Sequence, residues 1–190
     1  MKFTASRLPG VVVIEPTLIG DDRGWFMETF NQQRFNSGLS GLGLPLPRPF
    51  VQDNESSSNA GVLRGLHYQL PPHPQGKLVR VVQGAALDVA VDIRRASPTF
   101  GQWVAEELTA ENRRQLWIPE GFAHAFVALQ DHTRFVYKTT DFYARDCERA
   151  IRWDDPAIGI AWPAGLRPLL APKDTAAPLL HSAEVFDPVR

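Results

Sequence analysis

Apolar runs along this chain are short, rich in Val, Ile, Phe, Trp and Tyr, and broken by Gly, Pro, Asn and Asp. The pattern predicts β-strands over residues 11–15, 24–30, 62–69, 77–83, 86–94, 103–108, 115–118, 124–129 and 134–143. Residues 86–94 show the period most clearly. Leu87, Val89, Val91 and Ile93 fall on one face, and Asp88, Ala90 and Asp92 on the other, as in a half-buried antiparallel strand. Gln83-Gly84-Ala85 reads as the turn of a hairpin joining this run to residues 77–83. Helical periodicity is scarce. Single turns are predicted at 31–35 and at 173–180, the second interrupted by Pro178, while residues 37–49, rich in Gly, Leu and Pro, read as a loop. Such spacing favours an all-β sandwich, jelly roll or barrel over a βαβ fold. With no repeat at a fixed period and no low-complexity linker, the 190 residues predict one domain spanning 1–190.

Composition narrows the function classes. A formal net charge of −1 supplies no basic field for nucleic acid or an acidic membrane, whereas a few local arginines suffice for a small anion. The single cysteine, Cys147, forms no internal disulfide, which fits a reducing compartment. The apolar run before Glu15 and Pro16 is too short for a signal-peptide core, and no segment approaches the roughly 18 apolar residues of a membrane span. A cytoplasmic protein is expected.

Four constellations could carry chemistry. In Arg64-Gly65-Leu66-His67-Tyr68-Gln69, His67 is either an incidental strand histidine or a general base, a role suited to a side chain that ordinarily titrates near neutrality. Arg64 and Lys77 would then hold an anion. Because Arg64 and His67 are three apart, a flat strand puts them on opposite faces, so a shared pocket requires a bulge, and Gly65 is its natural place. In the second stretch, Pro119-Glu120-Gly121-Phe122-Ala123-His124 matches the second signature of the cupin superfamily, which sets a histidine at the mouth of a jelly roll. The first cupin signature is not met. His67-Tyr68-Gln69 stands where a His-x-His pair belongs, and Gln69 is a poor transition-metal ligand, so no metal is expected. The third is Tyr137 and Tyr143, six apart and on one face of a regular strand, either as core rings or as a proton donor and a stacking platform. The fourth, Asp21-Asp22-Arg23-Gly24-Trp25-Phe26-Met27-Glu28, reads as a turn and edge strand in which Arg23 is either solvated or a phosphate ligand. No G-x-S-x-G, P-loop, Rossmann glycine fingerprint or CxxC occurs.

Taken together, IGDDRGWFMETFN, FVQDNESSS, GVLRGLHYQLPP, QGKLVRVVQGAALDVAVDIRRASPTFGQW, NRRQLWIPEGFAHAF, VYKTTDFY and IRWDDPAIGIAWP resemble the dTDP-4-dehydrorhamnose 3,5-epimerase family, in one order over nearly the whole chain. The resemblance implies an all-β, cupin-like double-sheet jelly roll with a few short helical turns, usually homodimeric and needing no metal or cofactor. The substrate it implies is a dTDP-4-keto-6-deoxy sugar. It also implies residue roles. His67 would be the base, Asp174 its orienting partner, Tyr137 the opposite-face proton donor, Lys77 the cation at the enolate oxygen and Tyr143 the platform for thymine. Arg23, Glu28, Gln52, Asp53, Asn54, Arg64, His124 and Glu148 match nucleotide-sugar-binding positions, with Arg23 and Glu28 implied to reach across from a neighbouring subunit. Two stretches depart from the family pattern. The loop at 40–48 is longer and more proline-rich, and Ala150 stands where a glycine is usual.

Three other readings compete. One is a relative that inverts only one carbon or isomerises the ketone. The second is a metal-dependent cupin enzyme, and the third a non-catalytic sugar-binding jelly roll.

Overall fold

Side chains that alternate in and out along each run are resolved, in the computed structural model, by two antiparallel sheets laid face to face. The structure describes residues 1–187. In chain order the strands are β1 (Lys2–Ala5), β2 (Val12–Glu15), β3 (Leu18–Asp21), β4 (Gly24–Met27), then helix α1 (Gln32–Gly41). There follow β5 (Gln52–Ser58), β6 (Leu63–Gln69), β7 (Lys77–Gln83), β8 (Ala85–Asp92), β9 (Trp103–Thr109), β10 (Gln115–Ile118), β11 (Phe122–Ala128), β12 (Thr133–Thr139), β13 (Glu148–Ala150) and the short helix α2 (Pro172–Thr175). One sheet runs β1-β2-β10-β7-β12-β5 and the other β13-β6-β11-β8-β9, while β3 and β4 form a separate hairpin. This is the all-β, cupin-like architecture expected from the sequence. No helix among the described residues is long and apolar enough to cross a membrane.

The core has three layers. Between the sheets lie Val79, Val81, Leu116, Ile118, Phe122, Phe126 and Phe135, with the Phe126 and Phe135 rings stacked at 4.1 Å. Outside the five-stranded sheet, Leu66, Val89, Val91 and Ile93 pack under the C-terminal segment through Ile151, Ile158, Leu180 and Val185. Outside the six-stranded sheet, Val12, Ile14, Leu78 and Trp117 meet Phe35 and Leu39 of α1.

Several elements differ from the sequence expectation, each for a physical reason. The run at 86–94 is not half-buried: Asp88 and Asp92 lie on the face that Ala90 turns to the space between the sheets, and the C-terminal segment covers the opposite face, that of Val89, Val91 and Ile93, so both faces are buried. Nor do β7 and β8 form a hairpin. Gly84 is a corner at φ +76° where the chain leaves one sheet and enters the other, so β7 pairs with β10 and β12 while β8 pairs with β9 and β11. The single turn at 31–35 extends to Gly41, shortening the loop. Asn31 caps α1 by accepting the Arg34 amide, Phe35 and Leu39 bury one turn apart, and Gly38 lets the Phe3 ring approach where a Cβ would sit 2.5 Å from it. The turn at 173–180 is α2 followed, after Pro178, by a separate 3-10 turn at Leu180–Ser182. The strand at 134–143 stops at Thr139, and the one at 24–30 stops at Met27. β1, β3, β5 and β13 go beyond the sequence expectation. The loop after α1 is pinned by Arg48, which donates to Glu120 (Nε, 3.0 Å), Asp141 (Nη1, 2.9 Å) and the Pro74 carbonyl.

The bulge at Gly65 is present. Against β11, His124 opposes His67 but Phe126 opposes Arg64, so β6 carries one extra residue between them. Gly65 has φ +134°, and a Cβ there would lie 2.5 Å from the Ala125 Cα and 2.6 Å from the His124 oxygen. Gly65→Ala is therefore expected to destabilise the fold by about 3 kcal/mol. A urea-unfolding midpoint unchanged from the parent protein would contradict this.

Candidate active site

The bulge puts two β6 side chains of unlike chemistry into one cavity. Arg64, His67 and Gln69 all point between the sheets, while Leu66 faces the outer core. Across from them β5 contributes Gln52, Asn54 and Ser56, β7 contributes Lys77, and β12 contributes Tyr137. The cavity holds about 300 Å³ and opens at a rim bordered by Tyr143, Glu148 and Lys173, with Asp174 buried beneath it. Its floor is apolar where Phe126 and Phe135 meet.

α2 exists, in effect, to present one carboxylate. Pro172 starts the helix and Asp174, 1% exposed, sets Oδ1 at 2.5 Å from His67 Nε2, across 107 positions of sequence. A buried carboxylate at that nitrogen fixes the imidazole's tautomer and orientation. A second histidine–carboxylate pair lies deeper. His124 Nε2 is 2.8 Å from Asp88 Oδ2, both buried, and burial pushes His124 below the ordinary histidine value with Asp88 opposing. The buried Asp88 Oδ1 has no hydrogen-bond partner among the described residues.

Lys77 is buried on β7, with Nζ 3.4 Å from the His67 carbonyl. Burial lowers it from 10.5 to about 8, while Asp88 and Glu148 favour the ammonium from a distance. Burial raises Tyr137, with Arg64 and Lys173 opposing; its ring leans on Phe135 at 6.4 Å. Arg64 donates through Nε to Ser58 at 3.2 Å, and its Nη groups make no hydrogen bond among the described residues. At the rim, burial would raise Glu148, but the Lys173 ammonium at 2.8 Å outweighs it and holds the carboxyl below its ordinary value. Tyr143 donates its hydroxyl to Glu148 at 3.1 Å.

Ten of the thirteen residues expected from the sequence line this one cavity: His67, Tyr137, Asp174, Lys77, Gln52, Asn54, Arg64, His124, Tyr143 and Glu148. Three do not. Asp53 points to the other face of β5, because strand alternation opposes it to Gln52 and Asn54, and it pairs with Lys138 at 2.9 Å. Arg23 sits on the exposed β3–β4 turn against Asp21, and Glu28 pairs with Arg34 at 3.3 Å. Tyr143 lies in the loop after β12 rather than on a strand face shared with Tyr137. Lys173, Gln75 and Gln69 were missed as site residues. Only Gln69 carried a signal, being two residues from His67 on the same face. Among the described residues no group of three or more His, Cys, Asp or Glu side chains converges as a metal site would require.

Residues 5–182 match the family model described as dTDP-4-dehydrorhamnose 3,5-epimerase. The Pseudomonas aeruginosa protein of that name is 52% identical over 98% of this chain and 99% of its own length. The Salmonella typhimurium one is 54% identical over 96% and 97%. Among solved structures, a Legionella pneumophila dTDP-6-deoxy-D-glucose-3,5-epimerase in complex with dTDP-4-keto-L-rhamnose superposes with TM-score 0.88 at 48% identity, covering 95% of this chain and 93% of its own. A 3'-monoepimerase from Streptomyces bikiniensis in complex with dTDP-quinovose follows with TM-score 0.83 at 36% identity, covering 93% and 87%.

Proposed function

The chain belongs to the dTDP-4-dehydrorhamnose 3,5-epimerase family, and from that premise we propose how its own cavity inverts C3 and C5 of dTDP-4-dehydro-6-deoxy-D-glucose. The C4 ketone acidifies the hydrogens on both neighbouring carbons. His67, held by Asp174, removes one of them. The electron pair moves into an enolate whose charge sits on the C4 oxygen, where the Lys77 ammonium stabilises it as it develops. Tyr137 then gives its hydroxyl proton to the same carbon from the opposite face. Each inversion leaves a proton on His67 and takes one from Tyr137, so solvent must reset both before the second carbon reacts, and the open rim admits it.

One observation carries this reading. His67 enters the cavity from one sheet, while Tyr137 and Lys77 enter the same cavity from the other. Inversion needs a base and an acid on two faces of one ring, and a two-sheet cavity supplies two faces. Arg64 and Lys173 suit the diphosphate, Gln52 and Asn54 offer amides, and the exposed Tyr143 ring offers a stacking face for thymine.

The β3–β4 hairpin exposes Leu18, Ile19, Trp25 and Phe26 together, which supports a homodimer joined there, with Arg23 and Glu28 reaching a partner's cavity. A nucleotide-sugar substrate and a lone cysteine fit a cytoplasmic setting.

The test is the configuration of the product. Incubated with dTDP-4-keto-6-deoxy-D-glucose, the enzyme should yield an L-configured product inverted at C3 and C5 by NMR. A product inverted at one carbon would place it with the monoepimerases. Tyr137→Phe is expected to keep initial exchange of substrate hydrogen with solvent within about tenfold, while completed inversion falls about 100-fold. Equal loss of both would assign the donor role elsewhere.

A further inference from the structure

Tyr143 poses a mechanical problem. The residue is 55% exposed and lies in a loop, so packing does little to hold it, yet a platform for a nucleobase must be in place before the base arrives. Hydrogen bonds to the backbone on either side of the ring supply the rigidity. The Tyr143 amide donates to Gln52 Oε1 at 3.0 Å. Gln69 holds the residues before and after: Nε2 donates to the Phe142 carbonyl at 3.2 Å and to the His73 carbonyl at 2.6 Å, and Oε1 accepts the Ala144 amide at 2.8 Å. Thr139 Oγ1 and Gln75 Nε2 both donate to the Asp141 carbonyl, at 2.9 and 2.8 Å, fixing the start of the loop.

Gln69 is the centre of this arrangement. It is 3% exposed, and its amide orientation is forced, since two carbonyls face its nitrogen and one N–H faces its oxygen. It sits two residues from His67 on β6, so the same rigid strand that carries the proposed base also carries the clamp.

We infer that Gln69 is a positioning residue for nucleotide recognition: it preorganises the Phe142–Ala144 segment so that the Tyr143 ring meets the base without first being ordered. This rests on the proposed role of Tyr143 as the base platform. Without the clamp, the loop is ordered only when the nucleotide binds, and affinity falls by that cost, while His67 and Tyr137, held on strands rather than on this loop, keep their places.

The experiment is a double-mutant cycle read by calorimetric titration with dTDP. Gln69→Leu should weaken dTDP binding about tenfold and raise KM similarly, with kcat within about threefold of the parent. Tyr143→Ala should weaken dTDP by a comparable factor. The double variant should bind no more than about twofold more weakly than Tyr143→Ala alone, because Gln69 acts through Tyr143. Losses that multiply in the double variant would overturn the inference. Unchanged dTDP binding in Tyr143→Ala would instead remove the platform role on which it rests. Amide hydrogen exchange on the unaltered, ligand-free enzyme gives a second test that needs no variant. The Tyr143 and Ala144 amides should be protected, and exchange at open-chain rates would contradict a preformed loop.

Discussion

Replacing His67 with asparagine is expected to lower kcat by about a thousandfold or more and to abolish exchange of the C3 and C5 hydrogens with solvent. An asparagine amide keeps a polar group near Asp174 but accepts no proton at neutral pH, so the base is removed with little change in cavity size. General-base catalysis contributes roughly 10²–10⁴-fold. The same group is proposed to serve both carbons, so one substitution silences both inversions. Asp174 is 1% exposed with Oδ1 on His67 Nε2 at 2.5 Å, so the imidazole is held in place for this role. Nucleotide affinity should change little, because the dTDP moiety is assigned to Arg64, Lys173 and Tyr143 at other parts of the cavity. Exchange at the parent rate in the His67→Asn enzyme would take the base role away from this residue.

Lys77→Met is expected to cost about 100- to 1000-fold in kcat. The enolate's charge arises on the C4 oxygen only as the reaction proceeds, so a fixed cation beside it lowers the barrier more than it strengthens ground-state binding. Methionine matches the lysine stem without its charge. Because Lys77 is buried, removing its ammonium should not lower stability, as a desolvated charge is costly to hold. The substitution therefore separates catalysis from folding. The pH profile gives an independent reading. Burial lowers Lys77 to about 8, so the ammonium is present below that pH and is lost as pH rises through it. Turnover in the parent enzyme should fall along that alkaline limb, and the limb should be missing from the residual activity of Lys77→Met. Retention of the limb in the variant would assign it to another group.

How far the sequence reveals this molecule depends on which physical signal each element emits. The bounds of β7 and β10 are legible because dense apolar runs, rich in β-branched and aromatic residues, stand there between polar ends. β5 (QDNESSS) is invisible to the same logic. Its inward positions, Gln52, Asn54 and Ser56, face a wet cavity, so no hydrophobic period marks it. α1 is masked by Ser37, Gly38 and Ser40, weak helix formers overruled by the burial of Phe35 and Leu39. At Gly84 the local signal is genuine but ambiguous, because a corner between sheets and a hairpin turn both need positive φ.

The site divides the same way. The bulge at Gly65 follows from the three-residue spacing of Arg64 and His67, and the structure has it. The His67–Asp174 pair rests on 107 positions of separation, which no local pattern spans; only the family resemblance pointed to it. Asp53 fell out for a reason that strand alternation already contained, since its neighbours Gln52 and Asn54 could not share its face. The sequence shows Gln69 only as a poor metal ligand, whereas a buried amide beside a candidate base can also hold backbone, as Gln69 does here.

The central claim is that a base and an acid on opposite walls of one cavity invert both carbons flanking the ketone. Converting dTDP-4-keto-6-deoxy-D-glucose in heavy water and reading isotope content at each carbon by NMR tests it most directly. The account predicts solvent deuterium at both C3 and C5 of the epimerised product. An epimerised product that keeps its original hydrogen at either carbon would contradict it.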